Sequence, residues 1–174
     1  MANAKVDIVQ RHQFADYLNV SNTSVTDYQL MGTGFTSLNE SPSAQTQTKK
    51  YINEKSSTTT ITEYQTQFSF ESDFIKSEAC IISLYEVGRN HAVGAAAQKD
   101  YVRVELWNPV ESTVSGETVV STEEFHARRF LVSVEVSDIQ GETDMQITGN
   151  LNAVGDPVEG TFNIKTRTFT EADS

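Results

Sequence analysis

The sequence is poor in the residues on which cross-linking, metal binding and acid–base catalysis depend. It contains a single cysteine, Cys80, which excludes a framework of disulfides within the chain. Its histidines, His12, His91 and His126, each stand without a second His or a Cys at the spacing of a metal site. We therefore expect no bound metal, no cofactor and no catalytic histidine.

The motifs that mark common enzyme families are also missing. The sequence Gly32-Thr33-Gly34 has no third glycine and no Lys-Ser or Lys-Thr pair after it, so neither a dinucleotide loop nor a phosphate loop is supported. No G-x-S-x-G turn is present for a nucleophilic serine. The neighbours Glu123 and Glu124 would point to opposite faces of a strand and share no site. The sequence therefore predicts a protein that is not an enzyme.

Positive charge is scarce. The chain has 13 Lys and Arg against 24 Asp and Glu, a formal net charge of -11. It can make few of the cationic contacts that hold nucleic-acid phosphates, so specific binding of nucleic acid is not expected. No apolar run approaches the length of a membrane span. The first residues, MANAKVDIVQRHQ, lack the apolar centre of a secretory signal. We expect no membrane contact and a protein that stays, at first, in the cytoplasm where it is made.

Alternating polar and apolar residues predict most of the structure. Residues 56–70, SSTTTITEYQTQFSF, place threonines and aromatics on one face of a long strand and Glu63, Gln65 and Gln67 on the other. Similar alternation after residue 100 predicts further strands, and residues 154–157 predict the turn of a C-terminal hairpin. The predicted core residues are Phe68, Phe70, Ile82, Val132, Val134 and Phe162.

One helix is predicted after the long strand. Apolar residues recur at spacings of three and four over residues 75–87. Asp73 is placed to cap the first turn, and Gly88 to end the last turn in a left-handed conformation. Residues 32–50 have two glycines, a proline and few apolar side chains, which predicts a long loop. The predicted fold class is mainly β, an antiparallel β-sandwich or open barrel with one flanking α-helix, in a single domain over residues 1–174.

The polar strand faces have two interpretations. They carry mainly Gln, Asn, Thr and Ser, with scattered acids. An ordinary solvated sheet face explains this composition, and the residues alone favour that interpretation. The alternative is the lining of a water-filled lumen built by several subunits, because a closed ring also removes exposed sheet edges.

Several short motifs follow one another along the chain. They are G-x-G-F-T-S-L at residues 32–38, Ser41-Pro42, Tyr51-Ile52-Asn53-Glu54, Tyr64 as the first aromatic residue at the end of the long strand, and the C-terminal GNLNAVGDPVEGTFNIKTRTFT. In this order, and over most of the chain, they resemble the major tail protein, or tail tube protein, of phages that infect Gram-positive bacteria. Each motif is short and structural.

The resemblance implies a structural subunit of the virion tail. Such subunits form hexameric rings that stack into a tube through which DNA passes during ejection without specific binding. Assembly takes place in the cytoplasm of the host bacterium, and the implied partners are tape measure, tail terminator and baseplate proteins. The same fold forms the inner tube of contractile bacteriocins and type VI secretion systems, which is the alternative function. A monomeric β-sandwich binding module is the alternative from another class.

Two sets of residues are expected to carry this function. The resemblance implies a lumen, and the polar faces of four strands are expected to line it with Glu63, Gln65, Gln67, Glu135, Gln146, Asn150 and Glu159. The resemblance implies that the loop over residues 32–50 reaches an adjacent subunit or ring. The expected contact residues of that loop are Gly32, Gly34, Phe35, Leu38, Pro42 and Tyr51.

Overall fold

A computed structural model describes residues 7–173. Residues 1–6 and 174, which complete the predicted domain, lie outside the described residues. No helix among residues 7–173 is long and apolar enough to span a membrane. In chain order the elements are β1 (Phe14–Asn19), β2 (Tyr28–Leu30), β3 (Phe35–Ser41), β4 (Ala44–Lys49), β5 (Thr58–Tyr64), β6 (Gln67–Asp73), α1 (Ala79–Arg89), β7 (Gln98–Val114), β8 (Glu117–Gln140), β9 (Gln146–Ala153), β10 (Val158–Asn163) and β11 (Thr168–Glu171).

The strands pair in antiparallel fashion. With α1 they confirm the predicted fold class, mainly β and antiparallel with one flanking α-helix. The chain divides into two compact units. The first unit contains the residues up to Gly32, Asp100–Phe130 and the residues from Pro157 onward, and the second contains Thr33–Lys99 and Leu131–Asp156. Strand β8 therefore contributes its first part to one unit and its last part to the other.

The first unit is built on the strand order β2-β1-β7-β8, and β10 joins β8 to β11. Phe162 on β10 is fully buried, as predicted. Its ring centroid lies 4.5 Å from that of Tyr17 and 5.8 Å from that of Tyr28. The buried side chains of this core are Tyr17, Tyr28, Val102, Val104, Ala127 and Phe162.

A charged pair is buried between β1 and β7, where Asp16 lies directly opposite Arg103. Asp16 is 1% exposed and Arg103 is 6% exposed. Asp16 Oδ1 accepts a hydrogen bond from the Tyr101 hydroxyl at 2.5 Å and lies 3.7 Å from Arg103 Nη1. Its Oδ2 lies 2.5 Å from Arg11 Nη2. Burial, and then the charge of Asp16, raise the pKa of the Tyr101 phenol well above its ordinary value, which keeps this hydroxyl a donor.

The second unit places β3, β6, β9 and the last part of β8 side by side. One row of its apolar face crosses all four strands through Leu38, Phe70, Gly149 and Val136. Gly149 is required in this row, because a Cβ there would lie 2.0 Å from the Glu135 carbonyl oxygen and 2.9 Å from the Phe70 ring. The predicted core residues that are confirmed as buried in this unit are Phe68, Phe70, Val132 and Val134.

The predicted bounds of the helix are wrong at both ends. Helix α1 begins at Ala79, and Glu78 is its N-cap residue. Asp73 is not a cap because it continues the ladder of β6, where it pairs with β9. Gly88 lies inside the helix, and Asn90 is the C-cap residue. The strand ladder at one end and helical hydrogen bonding at the other therefore overrode the local capping signals.

Helix α1 packs on the apolar face of the second unit. A Cβ on Gly88 would lie 2.9 Å from the Cβ of Val136, so the glycine permits a close approach of helix and sheet. Ile81 and Leu84 are fully buried, whereas Ile82 is only half-buried. The prediction that Ile82 is a core residue is therefore wrong. The neighbouring Ile81 faces the core instead, because one position along a helix rotates a side chain by about 100° around the axis.

The predicted loop over residues 32–50 contains two strands, β3 and β4. Strand β4 pairs with β5 in a separate two-stranded sheet. The long strand predicted over residues 56–70 is interrupted at residues 65–66, which separate β5 from β6. Alternation indicates the two faces of an extended segment, but it does not indicate where the segment changes partner.

The C-terminal hairpin predicted around residues 154–157 is also wrong. Strands β9 and β10 each pair with β8, β9 from Val132 onward and β10 up to Arg129. Strand β10 then forms its hairpin with β11. A turn sequence predicts a change of chain direction, but strand pairing depends on contacts far away in the sequence.

Candidate functional site

The face of the second unit opposite α1 carries polar side chains in ordered rows, and we call it the polar face. Cross-strand partners in an antiparallel sheet point to the same side, so the register defines its members. The rows, each written from β3 through β6 and β9 to β8, are Ser41, Gln67, Asn152 and Ser133; Asn39, Ser69, Asn150 and Glu135; and Ser37, Glu71, Thr148 and Asp138. A last row of Asp73, Gln146 and Gln140 crosses β6, β9 and β8.

The predicted lumen residues that the structure brings together on the polar face are Gln67, Glu135, Gln146 and Asn150. Glu135 and Asn150 are direct cross-strand partners. Asn152 Nδ2 donates to Glu135 Oε2 at 3.1 Å, and Gln146 Nε2 donates to Asp73 Oδ1 at 3.2 Å. Glu135 and Gln146 thus have hydrogen-bond partners on neighbouring strands, as polar groups on a wet face should.

The polar face is acidic and lacks cations. Its acids are Glu71, Asp73, Glu135 and Asp138, and none of its members within the described residues is Lys or Arg. Sequence reasoning missed three of these acids. Extending the alternation of residues 56–70 by three positions would have found Glu71 and Asp73. Asp138 was hidden by a β-bulge after Val136, which shifts the alternation by one residue.

Glu63 and Gln65 come shortly before Gln67 of the polar face in the sequence, but neither residue belongs to a row of that face. Glu63 is on β5, and Gln65 is in the link between β5 and β6. Gln65 Nε2 donates to Glu63 Oε1 at 3.0 Å. Both residues join Gln67, Asn152 and Asp156 in lining a cleft of about 890 Å³. The structure therefore brings these three predicted lumen residues together in a polar cleft of the second unit.

Glu159 has a different setting from the other predicted lumen residues. It lies on β10 in the first unit, directly opposite Arg128 of β8. Glu159 therefore has a cation as its cross-strand partner, whereas the polar face has none among the described residues.

Strands β4 and β5 form a hairpin that is exposed along both strands. The hydroxyls of Thr48 and Thr59 share a hydrogen bond of 2.9 Å across it. Pro42, which lies just before β4, and Tyr51, in the turn after it, are both exposed, so these two expected contact residues are accessible. A two-stranded hairpin in water is marginally stable on its own.

The other expected contact residues support β3 instead, except for exposed Gly32. Gly34 has φ +87, and a Cβ there would lie 2.8 Å from the Cδ1 of Ile81. The Phe35 ring lies edge-on to Phe70, with centroids 6.4 Å apart. Leu38 is 3% exposed. Gly34, Phe35 and Leu38 therefore contribute to the core of their own unit.

The histidines do not converge with other ligating groups. Within residues 7–173, no group of three or more His, Cys, Asp or Glu side chains is arranged to hold a metal ion. His12, His91 and His126 are exposed, and Cys80 is a buried free thiol. The polar face and the exposed hairpin are the surfaces that call for a functional explanation.

No protein-family model matches the chain, and no curated protein matches it. Among solved structures, a chain of the "Cryo-EM structure of the anti-feeding prophage (AFP) baseplate, 6-fold symmetrised" aligns with a TM-score of 0.44 and 9% sequence identity. The alignment covers 95% of this chain and 99% of that chain. A likeness of this strength carries no conclusion about this protein, so its function has to follow from its own residues.

Proposed function

We propose that this protein is a structural subunit of a phage tail tube, in which hexameric rings stack around a lumen that conducts DNA. The observation that carries the proposal is the polar face, whose side chains pair in register across four strands and include four acids and no cation among the described residues. A solvated face of an ordinary domain usually mixes charges of both signs. A surface that carries acids and no cations suits the wall of a lumen through which DNA passes.

An acidic wall keeps DNA mobile in two ways. Repulsion between carboxylates and phosphates acts over about 8 Å at physiological salt, so DNA stays off the wall. The wall also offers no Lys or Arg that could release counterions and hold the phosphates. A ring repeats each acid around its axis, which multiplies the effect. This role needs no catalytic residue and no cofactor, and we propose that the protein is not an enzyme.

Exposed backbone edges and the hairpin support assembly. Strand β3 is the terminal strand of its sheet, and an open sheet edge favours pairing with another chain unless it is protected. The β4–β5 hairpin projects exposed side chains and gains little stability from its own burial. Docking on a neighbouring subunit would stabilise it. A contractile bacteriocin or type VI-like tube would use the same surfaces.

The polar cleft favours a second candidate function, a monomeric β-sandwich binding module. Its volume of about 890 Å³ falls within the range of small-molecule sites. Such sites are mostly apolar, however, and the side chains that line this cleft are largely Ser, Thr, Gln, Asn and acids. The tube subunit therefore remains the better-supported function.

Removing the hairpin is expected to abolish tube formation while the fold survives. The variant replaces residues 44–64 with a short Gly-Ser linker, which can close the gap because Ala44 and Tyr64 are paired neighbours. Folding should persist because both hairpin strands are exposed and contribute nothing to the core. Circular dichroism checks the fold, and negative-stain microscopy of concentrated protein checks the tubes. Thr48→Ser, which keeps the hairpin and its hydroxyl, is the control. Normal tubes from the deletion variant would contradict the proposed role of the hairpin.

Reversing the charge of the polar face is expected to make assembled tubes bind DNA. The variant is Glu71→Lys, Glu135→Lys and Asp138→Lys, and its matched control replaces the same residues with Gln, Gln and Asn. Lysines in the lumen would hold phosphates, with binding that weakens steeply as salt rises. Co-sedimentation of tubes with short duplex DNA at several salt concentrations measures this. If tubes of the lysine variant retain no more DNA than the control at low salt, the polar face does not line the path of DNA.

A further inference from the structure

Positive charge is concentrated at the end of the exposed hairpin. We call residues 49–55, KKYINEK, the basic tip, since it contains Lys49, Lys50 and Lys55 against one acid, Glu54. All three lysines are exposed, and none of them forms an ion pair within residues 7–173. The basic tip also presents Ile52, fully exposed, and Tyr51, 60% exposed. In a chain with a net charge of -11, such a tip needs an explanation.

Another exposed projection has the opposite charge. Strands β7 and β8 continue to a turn at Ser115 and Gly116, both of which have positive φ. We call residues 110–120 the acidic arm. Its only charged residues are Glu111 and Glu117, and neither forms an ion pair within the described part of the chain. The exposed apolar residues of the acidic arm are Val114, Val119 and Val120.

We propose that the basic tip of one copy docks on the acidic arm of a second copy of this chain. This inference rests on the proposed function, because it names the surfaces through which subunits meet. The two surfaces complement each other in charge, and each adds exposed apolar side chains that docking would remove from water. Tyr51 supplies an aromatic side chain of the kind enriched in interface centres.

A second copy explains both projections at once. Each chain carries one basic tip and one acidic arm, so every copy offers a donor surface and an acceptor surface. A contact between two different surfaces is heterologous, and repeated heterologous contacts generate rings or open helical assemblies rather than closed dimers. The charges steer encounter and fix the partner, while the apolar residues supply contact area. Assembly should therefore weaken as salt increases.

A charge swap tests the pairing. The tip variant is Lys49→Glu, Lys50→Glu and Lys55→Glu, and the arm variant is Glu111→Lys and Glu117→Lys. Each variant alone is expected to raise the critical concentration for assembly about tenfold or more, because like charges then face each other. A mixture of the two variants is expected to co-assemble, since each has a surface that suits the other. Turbidity and negative-stain microscopy at low and physiological salt provide the measurement.

The controls separate this pairing from a general effect of net charge. Lys76→Glu and Glu142→Lys change exposed charges outside both surfaces and should leave the critical concentration unchanged. Circular dichroism verifies that every variant folds. If the mixture assembles no better than the single variants while wild-type protein forms tubes, the pairing is wrong and the proposed function stands. If wild-type protein forms no tubes or rings at any concentration, the proposed function fails.

Cross-linking tests the contact without requiring complete tubes. One population carries Ile52→Cys and the other carries Val114→Cys, and buried Cys80 stays in both. A short bismaleimide should yield mainly mixed dimers of the two populations, with less product at high salt. Val93→Cys, at an exposed position outside both surfaces, replaces Val114→Cys in the control. Equal yields with Val93→Cys and Val114→Cys, or no product with either, would overturn the pairing.

Discussion

Replacing Asp16 with alanine is expected to lower the free energy of unfolding by about 3–5 kcal/mol. The substitution removes the carboxylate that faces the Arg103 guanidinium and accepts the hydrogen bond of the Tyr101 hydroxyl. Both of those side chains are buried, so water cannot replace the lost contacts. Urea unfolding, followed by the fluorescence of Trp107 and by circular dichroism, measures the loss.

Three further variants test whether the loss comes from the buried charge. Asp16→Asn keeps the shape and one acceptor oxygen, so it should lie between wild type and alanine. The double variant Asp16→Ala with Arg103→Met should recover part of the loss, because it removes both charges of the pair. Arg11→Ala removes only a half-exposed partner and should cost less than about 1 kcal/mol. An Asp16→Ala protein within about 0.5 kcal/mol of wild type would show that the pair contributes no stability.

The fold class could be predicted from the sequence because alternation is a local property. Phe68, Phe70, Val132 and Val134 were correctly placed in the core on that basis. The buried pair of Asp16 and Arg103 was not predicted, although each charged residue stands directly between two hydrophobic neighbours in the sequence. Its opposite charges become a signal only when β1 and β7 are known to be partners.

Strand pairing explains most of the remaining errors. The alternation of residues 56–70 continues evenly through β5 and β6, yet β5 belongs to the two-stranded sheet of the hairpin and β6 to the nine-stranded sheet. Thr58, Thr60 and Thr62 are therefore exposed, whereas Phe68 and Phe70 are buried. Whether a face is wet or dry depends on what packs against it, which alternation alone cannot indicate.

The candidate site was predicted only in part, again because the sequence does not show which strands pair. Gln67, Glu135, Gln146 and Asn150 were grouped by their polar side of a strand, and the register places them on one face. Glu159 met the same criterion, but β10 lies in the first unit opposite Arg128. The lysines of the basic tip carried no periodic signal. They became informative only when the structure showed β4 and β5 as an exposed hairpin.

Phe162→Ala is the other substitution with a large expected effect, a loss of about 3–5 kcal/mol in the free energy of unfolding. Phe162 is fully buried, and its ring contacts those of Tyr17 and Tyr28. Truncation removes the whole buried ring and leaves a cavity that two rigid aromatic neighbours cannot fill. Chemical denaturation should show a lower midpoint with an unchanged dependence on denaturant concentration.

Two control substitutions, one on β10 and one on its partner strand β11, test whether the effect of Phe162→Ala reflects the register of β10. Thr161→Ala alters the opposite face, where the Thr161 hydroxyl donates to Glu124 Oε1 at 2.7 Å, and should cost about 1 kcal/mol. Phe169→Ala removes the cross-strand partner of Phe162, but Phe169 is only partly buried and should cost less than Phe162→Ala. A slip of one residue would exchange the faces of β10 and reverse the order of the Phe162 and Thr161 effects. A Phe162→Ala protein as stable as wild type, with a destabilised Thr161→Ala, would therefore place Thr161 in the core and contradict the register described above.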